Sequence, residues 1–203
     1  MSFYNFCKAV LRPLTSLLYA ARISGTENVP LTGPLIVAAN HRSYLDPPLL
    51  GAWFPRTIHY MAKKELFEIS WLGPILRNVH SFPVDRDIAD LSAIKHALKT
   101  LKAGECVGIF PEGTRNVDGA ARARGGAVLL AATAKCPIVP VALINTEHAF
   151  RRFRAAPVEV RIGKPLSFQG TERKATKAEI EQWTLDLTNA IEGLMSDQKD
   201  GNT

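Results

Sequence analysis

The sequence lacks any run of 18 uninterrupted apolar residues, so no transmembrane helix is expected. Its three cysteines, Cys7, Cys106 and Cys136, are odd in number and scattered. They form no Cys-x-x-Cys pair and no Cys/His cluster at zinc spacing, which argues against a disulfide framework and a structural metal. A reducing compartment fits them, with Cys106 and Cys136, at the edges of apolar runs, read as buried small hydrophobes. Also missing are the Gly-x-Ser-x-Gly elbow, the His-Glu-x-x-His metal helix, the Gly-x-Gly-x-x-Gly turn and the Gly-Lys-Ser/Thr phosphate loop. The chain therefore offers no recognised frame for a serine nucleophile, a catalytic zinc or a nucleotide. No repeat, linker or low-complexity stretch interrupts it.

What is present is 203 residues, 46% of them hydrophobic, enough for one full core and short for two. Lys and Arg total 25 against 19 acids, a net charge of +6. Such an excess favours an anionic partner, whether nucleic acid, an acidic lipid headgroup or a phosphorylated ligand; a merely solvated basic surface is the plainer alternative.

Near the N-terminus Phe3, Phe6, Cys7, Val10, Leu11, Leu14, Leu17 and Leu18 recur at spacings of three and four, the stripe of an amphipathic helix within residues 1–22. Arg12 and Pro13 cut the apolar run and no small-x-small site follows cleanly, which disfavours a secretory signal. The stripe reads equally as a helix lying on a membrane or as one packed on the core. Beyond it, Leu35–Ala39, Ile58–Met61, Val79–Val84, Cys106–Phe110, Ile138–Ile144 and Val158–Ile162 have strand composition. Helices are expected after Pro47 and Pro48, over 87–103 with Ile88, Leu91, Ile94, Leu98 and Leu101 inward, over 125–134, and over 177–195. Apolar strands alternating with helices indicate a single α/β domain, a mostly parallel sheet flanked by helices. In such sheets ligands bind beyond the carboxyl ends of the strands.

Polar islands sit at three of those exits. Asn40-His41-Arg42-Ser43-Tyr44-Leu45-Asp46 follows the first apolar run, Asp85-Arg86 another, and Pro111-Glu112-Gly113-Thr114-Arg115 a third. A histidine can take and return a proton near neutrality, and a carboxylate can fix its tautomer. On a continuous helix His41 and Asp46 would lie about 140° apart, so the pair requires a turn, which the strand exit and Pro47 make plausible. With no protein nucleophile in frame, a hydroxyl of the substrate would attack an activated carbonyl directly. Arg86 and Arg115 have the guanidinium fork that suits a phosphate, and Gly113 permits close backbone approach.

Asn-His-x4-Asp at 40–46, Phe-Pro-Val-Asp-Arg at 82–86, Phe-Pro-Glu-Gly-Thr-Arg at 110–115 and Cys-Pro-Ile-Val-Pro-Val at 136–141 resemble, in order and spacing, the four blocks of the glycerolipid acyltransferases, over about 25–166. The bacterial 1-acyl-glycerol-3-phosphate acyltransferases are the most similar branch. The resemblance implies a peripheral enzyme on the cytoplasmic face of the cell membrane, moving a fatty acyl group from acyl-CoA or acyl carrier protein to the 2-hydroxyl of lysophosphatidic acid. It implies no cofactor beyond that donor and no nucleic acid. Carried over by position, His41 is the base and Asp46 its partner; Arg86, Glu112, Gly113, Thr114 and Arg115 form the acceptor-phosphate site, and Pro140 affects donor binding or site shape. His80 and Asn145 depart from the pattern, standing where the family often has glycine. The resemblance favours docking of the N-terminal helix, with Lys8, Arg12, Lys63, Lys64, Arg151, Arg152 and Arg154, on anionic lipid. Another lysolipid acceptor, a hydrolase using water, or a non-catalytic binder of anionic lipid are the alternatives.

Overall fold

Leu35–Ala39 (β2), Cys106–Ile109 (β5) and Ile138–Ile144 (β6) are short apolar runs, and they lie side by side in the middle of the sheet because only strands covered on both faces can use such composition. The computed structural model describes residues 2–85, 88, 90–113, 125–148, 156–167 and 175–196. Four further strands, Arg22–Ser24 (β1), Ile58–Lys63 (β3), Phe82–Val84 (β4) and Glu159–Ile162 (β7), complete a seven-stranded sheet of order β1-β7-β6-β2-β5-β3-β4. All pairs are parallel except β6 with β7.

Helices cover both faces. Phe3–Tyr19 (α1) and Asp46–Trp53 (α2) lie on one, where Leu49, Leu50 and Phe54 pack on Leu35, Val37 and Ala39. On the other face Leu91–Lys102 (α4), Gly126–Ala134 (α5) and Lys177–Ser196 (α6) bring Ala97, Leu101, Val128 and Leu187 onto Ile36 and Ala38. Leu72–Asn78 (α3) leads into β4. The α/β class and parallel sheet expected from the sequence are thus present.

Several local expectations need correction. The helix expected over 87–103 begins at Leu91, capped by the Asp90 carboxylate, which accepts from the Ser92 and Ala93 amides. Its buried face is Ala93, Ala97, Thr100 and Leu101, whereas Ile88, Leu91 and Ile94 are exposed. Ala93 and Ala97 let the first turns of the helix approach the sheet closely, with Leu91 and Ile94 turned outward, while Leu101 is buried and Leu98 packs against the core as expected. β4 is shorter than expected, because His80 at φ 61° turns the chain just before it. The edge strand β1 had no signal in its three residues.

The N-terminal helix has two working faces. At about 100° per residue, Phe3, Phe6, Val10, Leu14 and Leu17 fall within an arc of about 80°, and all five are exposed. The face that packs on α2 carries Tyr4, Lys8, Thr15 and Tyr19 instead, with Arg12 at its margin. Tyr4 Oη donates to the Gly51 carbonyl, Arg12 Nε to Ala52 at 2.7 Å and Lys8 Nζ to Phe54 at 2.6 Å, while Trp53 Nε1 donates to Thr15 Oγ1. Lys8 and Arg12, expected to face lipid, are spent on the last carbonyls of α2, which have no partner within their own helix and favour cations. Burial of the Lys8 ammonium, with Arg12 beside it, lowers its pKa to about 8. No helix among the described residues is long and apolar enough to cross a membrane.

Candidate active site

The order β6-β2-β5 places three strand exits side by side, and the site is built from them. Asn40, one residue past β2, holds the exit of β2 against β6: its Oδ1 accepts from the Leu143 amide at 2.7 Å and its Nδ2 donates to the Leu143 carbonyl at 2.9 Å. The side-chain amide thus continues the ladder where the backbone of β2 leaves it.

His41 follows, almost buried, with Nδ1 at 2.8 Å from Asp46 Oδ2. The same carboxylate oxygen accepts the Arg42 and Ser43 amides, each at 2.7 Å. Three donors on one oxygen fold residues 41–46 into a tight turn, and they offset the desolvation of a carboxylate that is 0% exposed. Asp46 is the first residue of α2, with Pro47 and Pro48 behind it, so the helix starts where the turn ends. Its side chain faces back to the loop through Oδ2, while Oδ1 has no hydrogen-bond partner among the described residues. The pair sits on a turn, as the spacing required. With Nδ1 committed to Asp46, Nε2 is the ring nitrogen left to exchange a proton with a substrate.

Past β5 the chain makes a turn in which the Gly113 amide donates to the Phe110 carbonyl at 3.0 Å, and Gly113 takes φ 73°, a conformation glycine adopts without strain. The turn aims Glu112 at β2, where its Oε2 accepts the His41 amide at 3.3 Å. Beyond β6, Glu147 pairs with Arg42 at 2.8 Å. First and third polar islands therefore converge, joined by a third exit that sequence had not singled out.

Asp85, at the exit of the edge strand β4, pairs with Lys64, and its amide donates to Asp90. Arg86, Thr114 and Arg115 lie outside the described residues, as do Arg151, Arg152 and Arg154. Pro140 stands apart from the exits: it is buried inside β6 opposite Ala38, its carbonyl accepting from Gly163. Burial pushes the Cys106 and Cys136 thiols up to about 11, which makes them poor nucleophiles. No group of metal-ligating side chains occurs among the described residues.

His80 and Asn145 both have positive φ, 61° and 63°. These are the positions where the resembled family often carries glycine, and the backbone needs a left-handed residue at each. Asparagine and histidine are among the side chains that tolerate that region. Asn145 Nδ2 also donates to Pro157, and His80 packs its ring 5.0 Å from His59 and 5.7 Å from Tyr4. The departures are thus accounted for by chain turns.

Sequence reasoning missed Asn40 as a clamp, Glu147 as a partner and Phe110 as a neighbour of the base. Asn40 and Phe110 were legible as block members, but their contacts span the chain.

Residues 20–144 match the family model described as Acyltransferase. The chain is 36% identical over 192 residues to the 1-acyl-sn-glycerol-3-phosphate acyltransferase of Bacillus subtilis, covering 94% of this chain and 96% of that protein. It is 31% identical over 197 residues to a protein of the same name from Streptococcus pneumoniae, covering 91% and 73%. The crystal structure of the 1-acyl-sn-glycerophosphate (LPA) acyltransferase from Thermotoga maritima has the same fold, at a TM-score of 0.77, 24% identity, and coverage of 98% of this chain and 81% of that one.

Proposed function

Because the chain belongs to the acyltransferase family, we propose that it transfers a fatty acyl group from a thioester of coenzyme A or acyl carrier protein to the sn-2 hydroxyl of 1-acyl-glycerol-3-phosphate, giving phosphatidic acid. The observation that carries this reading is the buried His41–Asp46 pair at 2.8 Å, on a turn at the exit of a central strand, in a chain with no nucleophile in a recognised frame. His41 Nε2 takes the proton of the lipid hydroxyl as its oxygen bonds to the thioester carbonyl carbon. The carbon–sulfur bond then breaks, and the imidazolium returns the proton to the departing thiolate. Asp46 holds the tautomer that leaves Nε2 basic and steadies the imidazolium. No acyl-enzyme forms.

Arg86, Thr114 and Arg115, with Glu112 and Gly113, are proposed to hold the acceptor phosphate, and Pro140 to shape the site from within the sheet. A guanidinium fork keeps its charge at all working pH values and donates two parallel bonds to a phosphate. The outward row of α1 is proposed to lie in the interface of the anionic, cytoplasmic membrane leaflet, where both lipids reside.

A general base contributes roughly 10²–10⁴ in rate. His41→Ala is expected to fold, keep its melting temperature within a few degrees and lose turnover by at least that lower bound. A folded His41→Ala protein that acylates lysophosphatidic acid at the wild-type rate rules out the base.

A further inference from the structure

The proposed mechanism leaves one contact of the base unused. Phe110, the last residue before the Pro-Glu-Gly turn, stacks on the His41 ring with centroids 4.2 Å apart and 25° between the planes. Behind it Tyr60 of β3 stacks in turn on Phe110, at 6.1 Å and 10°. The column runs from the interior of the sheet to the imidazole.

Gly108 makes the column possible. It pairs with Tyr60 across β3 and β5, and a Cβ there would come within 2.6 Å of both the Tyr60 ring and Ile58 Cγ2. Only a residue without a side chain lets the phenol ring lie across β5. Tyr60 is 6% exposed, and its hydroxyl finds no hydrogen-bond partner among the described residues. Burial drives its pKa well above the ordinary value, so the hydroxyl stays protonated and cannot serve as a base. What Tyr60 supplies is therefore its ring.

We propose that Phe110 is a positioning residue for His41, held by the Tyr60 ring over Gly108; this rests on the reading of His41 as the base. The Cβ–Cγ bond and the hydrogen bond to Asp46 hold two points of the imidazole, and the ring can still swing about the line that joins them. An aromatic face against the ring removes the swing and keeps Nε2 aimed. The same face carries negative potential, which stabilises the imidazolium once His41 has taken the proton. Among the described residues, the charged groups set around His41 are Asp46 from α2, Glu112 from the turn after β5, and the Arg42–Glu147 pair between the exits of β2 and β6.

The test compares full-length wild type with Phe110→Leu and Phe110→Trp, using lysophosphatidic acid and an acyl-CoA. With Phe110→Leu, kcat is expected to fall by about tenfold while KM for the acceptor changes by less than about twofold, because orientation is lost and acceptor binding is not. The acid limb of its kcat profile is expected to move about half a pH unit lower, the shift that loss of one cation–π contact would give. Phe110→Trp restores most of the rate. In ring-proton NMR, the His41 signals lose their upfield ring-current shift in Phe110→Leu and keep it in Phe110→Trp. A folded Phe110→Leu protein with unchanged kcat and unchanged acid limb overturns the proposal. Should that variant fail to fold, Tyr60→Leu is read by the same criteria. The base reading has its own control: if His41→Ala is inactive and Phe110→Leu is unaffected, only the positioning role falls, whereas an active His41→Ala removes the base itself.

Discussion

Asp46 Oδ2 carries more of the candidate site than any other atom. It receives the imidazole and two backbone amides, so one oxygen sets the tautomer of the base and the shape of the loop that presents it. An asparagine at this position can keep one oxygen on all three donors, but it loses the negative charge and puts a buried amide nitrogen where Oδ1 has no hydrogen-bond partner among the described residues. Asp46→Asn is therefore expected to cost about 1–3 kcal/mol of stability, the range for a buried donor left without its partner. It should also lower turnover by more than tenfold, because a neutral amide no longer steadies the imidazolium. Urea unfolding and single-turnover acyl transfer measure the two effects; a variant with wild-type turnover would contradict the orienting role. At this scale the sequence was informative where partners are close along the chain. The His41 to Asp46 spacing and Pro47 were enough to require a turn. The Asn40 clamp on Leu143 and the reach of Glu112 to His41 cross 103 and 71 residues, and nothing local announces them.

Among the elements, α1 shows why an apolar stripe does not say what it faces. Five of the eight residues of its apolar stripe are turned outward while Leu18 packs on the core, and a mostly polar and aromatic arc is turned in, where its donors meet the carbonyls at the end of α2. Two predictions separate the faces. Replacing Phe6, Val10 and Leu17 with serine is expected to leave the melting temperature within a few degrees and to weaken binding to anionic vesicles by at least tenfold, since each apolar side chain removed from the interface is worth about 1.5 kcal/mol or more. Unchanged vesicle binding in a cosedimentation assay would contradict the docking role.

The second prediction concerns Lys8, whose pKa falls from an ordinary 10.5 to about 8. Below about 8 both folded and unfolded chains hold this proton; between there and 10.5 only the unfolded chain does. The unfolded state then binds more protons, so this residue makes stability rise with pH through that window. In Lys8→Met the rise is expected to be smaller than in wild type, as read from denaturant midpoints between pH 8 and 10.5. Identical slopes would contradict the half-buried placement of Lys8. α4 makes the same point as α1: the periodicity of its large residues was legible, yet Leu91 and Ile94 are exposed, and Ala93 and Ala97 share the buried face with Leu101.

For the whole molecule, the strand order decides which exits can cooperate. β2, β5 and β6 were legible as strands, since segments buried on both faces carry near-continuous apolar composition. Their adjacency was not legible, because parallel neighbours are joined by long crossovers and pair residues such as Val37, Gly108 and Val139 that are far apart in the chain. That order brings His41, Glu112 and Glu147 together, and it puts β4, with Asp85, at the far edge. The net charge of +6, the outward row of α1 and the turn at His41 are then parts of the one proposed account, in which a lipid hydroxyl is activated at an interface and attacks a thioester without a covalent enzyme intermediate. Its most direct test is the stoichiometry of purified protein given an acyl-CoA and lysophosphatidic acid, with lipid products weighed by mass spectrometry and thiol release followed in parallel. The account predicts one phosphatidic acid per free thiol, with both absent when the acceptor is omitted. Thiol release that ignores the acceptor and yields free fatty acid would contradict it.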